Sequence, residues 1–230
     1  MIASQKALLL DFGSVISKSL FETLGDIERA YGLAPDTLDW RGPFDPDRDA
    51  LWTAMQAGRI SERDYWHRRC AELGRLVERD LGIVDIIRNS RGADPGRCIR
   101  PEAFEAVTEA RRMGARVGIL SNELELFYGE GFIEKVPLLA AMDLIVDATT
   151  TEILKPDPRA YGLAQSGFGL PARNIVFVDD QMKNIRGGEA FGLTCVAFDV
   201  KSPRQSYDRA LRLLAGAPAT EGMTCRTTIF

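Results

Sequence analysis

Five short apolar segments, separated by stretches of helical periodicity, constrain the fold of this sequence more than any other feature. The apolar segments cover residues 7–10, 116–120, 143–147, 174–178 and 194–198. The helical stretches between and after them cover 101–113, 123–141, 157–168, 182–191 and 202–214. Strands that alternate with helices are typical of βαβ units, and strands buried on both faces of a sheet are continuously apolar. The pattern therefore predicts an α/β fold with a doubly wound, five-stranded parallel sheet.

A second region, residues 17–95, interrupts this alternation and carries only helical signals. The helices predicted there cover 21–31, 47–57, 61–73 and 76–89. Because no strand pattern occurs in this region, we predict an inserted small α-helical domain between the first strand and the rest of the sheet. The predicted domains are an α/β core of residues 1–16 and 96–216, a helical unit of residues 17–95, and a C-terminal tail of residues 217–230.

The composition predicts a globular protein with no nucleic-acid or membrane partner. Hydrophobic residues make up 45% of the chain and charged residues 27%, and the net charge is −4. A negative net charge disfavours binding to nucleic acid and to anionic membranes. No apolar run approaches the roughly 18 residues of a spanning helix, and the first residues lack the pattern of a signal peptide. We therefore expect a cytoplasmic protein, either a monomer or a homodimer.

The cysteines and the single histidine restrict the possible chemistry. Cys70, Cys98, Cys195 and Cys225 lie far apart without CxxC spacing, which predicts reduced thiols rather than disulfides or a zinc site. The only histidine, His67, excludes a zinc site built on several histidines, and any Ser-His-Asp triad would have to use it. We expect a structural or surface role for His67, with substrate contact or proton transfer as the alternative.

Polar side chains follow three of the predicted strands, and a lysine lies in the loop after the strand predicted at 143–147. They are Asp11, Ser121, Asn122, Asp179 and Asp180, together with Lys155. The carboxyl ends of parallel strands meet at one edge of a sheet, so we expect these residues to converge. Three clustered carboxylates repel one another unless a cation lies between them, and Mg²⁺ prefers such oxygen ligands. A lysine and a hydroxyl suit phosphoryl oxygens. Asn184, one helical turn after Asp180, can face the same site.

Four segments of the chain carry a family resemblance. They are LLLDFGSV at 8–15, VGILSN at 117–122, ILKPDPRAY at 153–161 and IVFVDDQMKNIRGGEAFG at 175–192. In order and spacing they resemble the motifs of the haloacid dehalogenase superfamily, whose members are mostly phosphatases. The helical unit resembles the C1-type cap that this superfamily inserts between its first two motifs, and GRISERDYW at 58–66 resembles a recurring cap segment. The resemblance implies a Rossmann-like core.

The resemblance also implies a nucleophile and a metal site. Asp11 would be the nucleophile that forms an aspartyl-phosphate intermediate. The Asp11 and Asp180 carboxylates and the backbone carbonyl of Gly13 would bind Mg²⁺, and Asp179 would act directly or through a water.

Four further residues receive roles from the same resemblance. Ser121 and Lys155 would hold the phosphoryl oxygens, Asn122 would support the loop of Ser121, and Asn184 would support the acidic loop. The cap would close over the site, exclude water and select the leaving group.

Gly13 departs from the usual motif of the superfamily. Most of its phosphatases carry an aspartate two residues after the nucleophile, which protonates the leaving group and then activates water. Such proton transfer is worth about 10²–10⁴ in rate. Glycine retains the backbone carbonyl but supplies no proton carrier. Sugar-phosphate phosphatases with an Asp-x-Gly-Asn-Val motif share this feature, so another residue, the substrate or water would have to carry the proton.

The predicted function is Mg²⁺-dependent hydrolysis of a small phosphorylated metabolite, and two alternatives stay open. A 2-haloacid dehalogenase would use the same Asp11 nucleophile without metal, but it would not need the Asp179–Asp180 pair. A catalytically weak binding or regulatory protein is the other alternative, and Gly13 favours it. A phosphonate hydrolase is excluded, because it needs a cap lysine and residues 19–95 contain none.

Overall fold

A five-stranded parallel sheet forms the centre of the computed structural model, which describes residues 5–91 and 94–217. Its strands are β1 (Ala7–Leu10), β2 (Arg116–Ser121), β3 (Leu144–Asp147), β4 (Ile175–Asp179) and β5 (Thr194–Ala197). They lie in the order β3-β2-β1-β4-β5, and every neighbouring pair is parallel. The predicted α/β class and five-stranded parallel sheet are confirmed.

Twelve α-helices accompany the sheet in the described residues. Those before β2 are α1 (Leu24–Ala30), α2 (Ala50–Gln56), α3 (Glu62–Leu76), α4 (Ile83–Ser90) and α5 (Pro101–Arg112). Between β2 and β4 lie α6 (Leu124–Tyr128), α7 (Phe132–Lys135), α8 (Pro137–Ala140), α9 (Ala148–Thr151) and α10 (Pro158–Phe168). The last two are α11 (Met182–Phe191) and α12 (Pro203–Leu214). In the part of the chain described here, no helix is long and apolar enough to cross a membrane.

Two predicted helices differ from those in the structure. The helix expected at 76–89 begins only at Ile83, because α3 continues to Leu76 and Glu78 takes a left-handed conformation with φ of 52°. The stretch expected at 123–141 is divided into three short helices. Gly129 and Gly131, with φ of 81° and 73°, end one helix and precede the next, since a residue at positive φ cannot continue an α-helix.

The sheet is covered by helices on both faces, as alternate side chains of its strands are buried in different clusters. Leu8 and Leu10 of the central strand pack with α5 and α12, whereas Ala7 and Leu9 pack with α10. This alternation is the two-residue period of a strand. Strand β1 has β2 on one side and β4 on the other, so chain order reverses around it. The crevice at this reversal is where open α/β sheets bind ligands.

A third hydrophobic cluster lies within residues 20–90 and is separate from the two that cover the sheet. Its buried members are Ile27, Leu38, Trp40, Cys70, Leu73, Leu81 and Ile86. We call residues 20–90 the helical insert. The predicted domain boundaries stay a prediction, and the predicted tail lies, beyond Ala217, outside the described residues.

A buried ion pair organises the helical insert. The Asp49 carboxylate accepts hydrogen bonds from the backbone amides of Trp52 and Gly42, both at 2.9 Å, and lies 2.6 Å from Nη2 of Arg69. Burial acts to raise the pKa of Asp49, but these bonds outweigh it and the pKa lies below its usual value. The carboxylate thus stabilises the folded protein above the pKa of an unfolded aspartate. This contribution is lost as the pH falls through the lower, folded-state pKa.

Asp49→Asn is expected to lower the free energy of unfolding by about 3 kcal/mol, because it removes the buried partner of Arg69 and leaves that buried charge only the partly exposed Glu72, at 2.9 Å. Urea unfolding followed by circular dichroism would measure the loss. Asp80→Asn is the matched control, since Asp80 is exposed. Equal unfolding midpoints for the two variants near neutral pH would contradict the prediction.

Candidate active site

The carboxyl ends of β1 and β4 bring three carboxylates together. Asp11 follows β1, its backbone amide donates to the carbonyl of Val178 at 2.9 Å, and it is thereby fixed beside the end of β4. Asp179 and Asp180 lie at that end. One oxygen of each of the three carboxylates lies within 4.8 Å of the others, and Asp11 and Asp179 are buried. The convergence expected from the strand ends is present in the structure.

Lys155 lies between two of these carboxylates. Its Nζ is 2.7 Å from Oδ1 of Asp11 and 2.6 Å from Oδ2 of Asp179, and the side chain is buried. Burial alone would lower the pKa of Lys155, but the two carboxylates outweigh it and raise that pKa above its usual value. The ammonium group is therefore charged, and it offsets part of the negative charge of the cluster.

Asn122 fixes the backbone of Lys155. Its Oδ1 accepts a hydrogen bond from the Lys155 amide at 2.7 Å, and its Nδ2 donates to the Lys155 carbonyl at 3.2 Å. Ser121, the last residue of β2, is buried beside it, and its Oγ accepts a hydrogen bond from the Glu123 amide at 3.3 Å. The two polar residues at the end of β2 thus border the lysine.

Asn184 and the loop that follows β4 hold the Asp179 carboxylate. Nδ2 of Asn184 donates to both carboxylate oxygens of Asp179, at 3.0 and 3.1 Å, and the Gln181 amide donates to Oδ1 at 2.8 Å. Asp179 is fully buried, whereas Asp180 is partly exposed. With these bonds and that to Lys155, Asp179 has fewer free lone pairs than its neighbour. Asp180 is therefore the more available of the two to a ligand in the crevice.

The charge of the cluster suits a divalent cation. Burial, opposed by Lys155 and reinforced by Asp179, raises the pKa of Asp11 to about 7. Burial, followed by Asp11 and Asp179, raises the pKa of Asp180 well above its usual value. Three carboxylates face a single ammonium group, so ionising all three is unfavourable without another cation. Their oxygen donors are the ligands that Mg²⁺ prefers.

Gly13 lies in an open part of the site. It belongs to a single π-helical turn, Phe12–Ile16, but its own φ of −62° and ψ of 133° are extended values that any residue adopts. A Cβ atom added to Gly13 would meet no atom within 4 Å. Neither backbone conformation nor steric crowding therefore requires glycine here. The next residue, Ser14, takes the positive φ of the turn, at 60°.

The helical insert contacts the site through Glu62, in the first turn of α3. Its Oε1 accepts a hydrogen bond from Nε2 of Gln181 at 2.9 Å, and its Oε2 is 3.2 Å from Nζ of Lys183. Burial raises the pKa of Glu123, and the nearby Glu62 raises it further. These contacts were not predicted from the sequence. The only signal was the capping pattern beginning at Ser61, which places Glu62 at the start of a helix.

His67 lies on the exposed part of α3. On the same helix Tyr65 and Trp66 belong to an aromatic group with Phe21, at ring-centroid distances of 6.3 and 5.6 Å. The histidine is thus placed as a surface residue, as expected from the sequence, and Glu62 rather than His67 is the α3 residue that reaches the loop after β4.

Comparison with known proteins places the chain in a family. Residues 6–192 match the family model of haloacid dehalogenase-like hydrolases, so the chain belongs to that family and the predicted superfamily is confirmed. A phosphatase of Mycobacterium tuberculosis is 28% identical over 148 residues, 64% of each chain, so the match spans just under two thirds of that protein. An (S)-2-haloacid dehalogenase of Pseudomonas sp. (strain YL) is 26% identical over 196 residues, 81% of this chain and 83% of that one.

A solved L-2-haloacid dehalogenase structure shares the fold. The two structures superpose with a TM-score of 0.55 at 21% sequence identity. The superposition covers 86% of this chain and 87% of the dehalogenase chain. Phosphatases and dehalogenases are thus both among the proteins similar to this hydrolase.

Proposed function

We propose that the chain is a Mg²⁺-dependent phosphomonoesterase that acts on a small phosphorylated metabolite. The observation that carries the proposal is the cluster of Asp11, Asp179 and Asp180 around Lys155, with more negative charge than the lysine can balance. A metal-independent site would have no use for the second carboxylate of the Asp179–Asp180 pair. The similarity to a phosphatase supports the same assignment.

Asp11 is positioned to act as the nucleophile. Its Oδ1 accepts from the Phe12 amide at 2.7 Å and contacts Lys155, and within the described residues no donor is recorded for Oδ2. In the first step Oδ2 forms a bond to phosphorus while the bond from phosphorus to the ester oxygen breaks. The leaving oxygen takes its proton from water or from an acidic group of the crevice. In the second step water attacks the aspartyl phosphate, which releases phosphate and restores the Asp11 carboxylate.

Other residues of the site orient and neutralise the phosphoryl group. Asp11, Asp180 and the Gly13 carbonyl would hold Mg²⁺, and Asp179 would act on the ion directly or through a water. When bound, this ion neutralises negative charge on the carboxylates and on the phosphoryl oxygens. Ser121 donates its hydroxyl proton to a phosphoryl oxygen, and Lys155 supplies a positive charge beside it.

A phosphatase assay on a panel of phosphorylated metabolites at fixed Mg²⁺ tests the proposal. The Asp11→Asn protein is the blank, because it keeps the same shape without the nucleophile. Hydrolysis that requires both Mg²⁺ and Asp11 is the expected result. No hydrolysis of any ester, with the wild-type protein folded and metal-bound, would overturn it and favour a binding role.

A 2-haloacid dehalogenase is the second candidate. Its support is the absence of an acid side chain at Gly13 together with the similarity to haloacid dehalogenases. Release of chloride from 2-chloropropionate in the presence of a chelator would establish this activity instead. The adjacent acids Asp179 and Asp180 favour the phosphatase.

Mg²⁺ is expected to stabilise the protein more at about pH 8 than at about pH 6, because protons compete with the metal for Asp11. The pKa of Asp11 is raised to about 7 in the folded protein, so the metal-free protein loses stability as the pH rises from the unfolded pKa through this value. Mg²⁺ offsets that loss only where Asp11 is ionised. Thermal unfolding with Mg²⁺ or with a chelator would measure the effect.

The Asp11→Asn variant is the control for this pH dependence, since it removes the titrating group but leaves Asp179 and Asp180. The difference in Mg²⁺ stabilisation between the two pH values should shrink in the variant. Equal stabilisation of the wild-type protein at both pH values would contradict the prediction.

A further inference from the structure

A narrow cleft lies where the helical insert joins the sheet core, and its lining includes none of the three clustered carboxylates. Both chain connections between the two parts contribute to it. Lys18 lies on the connection from β1 to the insert, and Arg97 and Cys98 lie on the connection from the insert to α5. Ser90 at the end of helix α4 and Arg91 directly after it also line the cleft, and the sheet side contributes Tyr128. A ligand bound here would touch the insert and the sheet core at the same time.

The charges lining this hinge cleft are mostly positive. Its cations are Lys18, Arg91 and Arg97, and its acidic residue is Asp26. Asp26 already forms ion pairs with Arg97, at 2.7 Å, and with Arg29. Across residues 5–91 and 94–217, no carboxylate lies within ion-pair distance of Lys18 or Arg91. Two cations of the cleft therefore lack an anionic partner among the described residues of a protein whose net charge is −4.

The described residues satisfy the Arg91 guanidinium only in part. Its guanidinium lies 3.7 Å from the ring centroid of Tyr128, and its Nη2 donates to the Phe127 carbonyl at 3.1 Å. Its Nε is buried and has no hydrogen-bond partner among the described residues. Burial lowers the pKa of Arg91, and nearby Arg88 lowers it further. A buried guanidinium is costly unless an anion and acceptors surround it.

We propose that the hinge cleft binds a tetrahedral oxyanion, phosphate or sulfate, through Lys18 and Arg91. An oxyanion of this shape accepts several charge-assisted hydrogen bonds at once, which suits a guanidinium and an ammonium group that line the same cleft. Because Lys18 lies on the outgoing connection and Arg91 directly follows α4, an anion bound by both holds the end of the helical insert against this connection. Tyr128, whose ring lies under Arg91, also packs edge-to-face on Phe12, with ring centroids 4.7 Å apart. The cleft is thus connected by packing to the residue that follows Asp11.

Titration calorimetry with sulfate, in chelator at constant ionic strength, tests the proposal. Lys18→Met is the main variant, because within residues 5–91 and 94–217 the Lys18 ammonium forms no ion pair or hydrogen bond whose loss would unfold the protein. Removing one charge-assisted bond is expected to weaken sulfate binding about tenfold. Lys201→Met, at an exposed lysine on the sheet core, is the matched control and should leave affinity unchanged.

A second variant separates this cleft from the carboxylate site. Ser121→Ala removes a hydroxyl from the carboxylate site and should leave sulfate binding at the hinge intact. Loss of all sulfate binding in Ser121→Ala, or equal affinity in Lys18→Met and wild type, would overturn the proposal, as would absence of binding to wild type. None of these results depends on phosphatase activity, so the hinge site and the proposed function can fail separately.

Competition distinguishes two sources of the anion. In the Asp11→Asn protein, inorganic phosphate and phenyl phosphate would each be titrated against bound sulfate. Displacement by inorganic phosphate alone identifies a site for the free ion, and displacement by both identifies one that accepts the phosphate group of a larger molecule. Displacement by neither would contradict a tetrahedral oxyanion site, because phosphate and sulfate share charge and shape.

Discussion

Asp11→Asn is expected to reduce phosphatase turnover by a factor of about 10⁴ or more while leaving the fold intact. The amide nitrogen and oxygen of asparagine do not attack phosphorus, and Oδ2 of Asp11 is the carboxylate oxygen that accepts from no donor in the part of the chain that the structure describes. The fold should tolerate the change, because burial already raises the pKa of Asp11 to about 7 and a neutral side chain removes that unfavourable charge. Lys155 keeps its bond to Asp179 at 2.6 Å.

The measurement is single-turnover hydrolysis of an aryl phosphate, together with thermal unfolding of the same preparations. Asp47→Asn is the control for the chemical change, because Asp47 is exposed on the helical insert. It should retain full activity. An active Asp11→Asn protein with an unchanged unfolding midpoint would sink the aspartyl-phosphate mechanism.

The carboxylate cluster could be predicted from the sequence because it depends on strand ends. Asp11, Lys155 and Asp179 are distant in the chain, yet the ends of parallel strands and the loops after them meet at one edge whatever the lengths of the helices between them. The Asn122–Lys155 bonds follow from the same geometry, since Asn122 directly follows β2 and Lys155 lies in the segment after the neighbouring strand β3. Local signals also predicted helix α11, which begins at Met182 and ends before Gly192.

Contacts between the helical insert and the sheet core could not be predicted in this way. No spacing in the chain relates Glu62 to Gln181 and Lys183, or Arg91 to Tyr128, because these pairs depend on how two packed units dock. The predicted boundaries of the helix after β2 were wrong for a local reason. The stretch after β2 has helical periodicity, but a turn at Gly129 and Gly131 satisfies the backbone differently, and periodicity alone does not detect it.

Gly13→Asp is expected to raise the hydrolysis of alkyl phosphates by about 10²–10⁴. The substitution restores a carboxyl group two residues after the nucleophile, where it can protonate a leaving oxygen and then activate water. The structure offers room for it, since an added Cβ meets no atom within 4 Å and the extended backbone is open to any residue. Replacing glycine at such a position also lowers the conformational entropy of the unfolded chain. The backbone change should therefore not reduce the free energy of unfolding.

The leaving group separates proton transfer from other effects of Gly13→Asp. An alkoxide needs a proton as it departs, whereas a nitrophenolate does not, so the gain should be large for an alkyl ester and small for nitrophenyl phosphate. Gly13→Asn is the matched control, because it fills the same space without a group that transfers protons. It should give no gain for either ester. Equal gains for both esters, or no gain for the alkyl ester, would mean that this protein already carries its proton by another route.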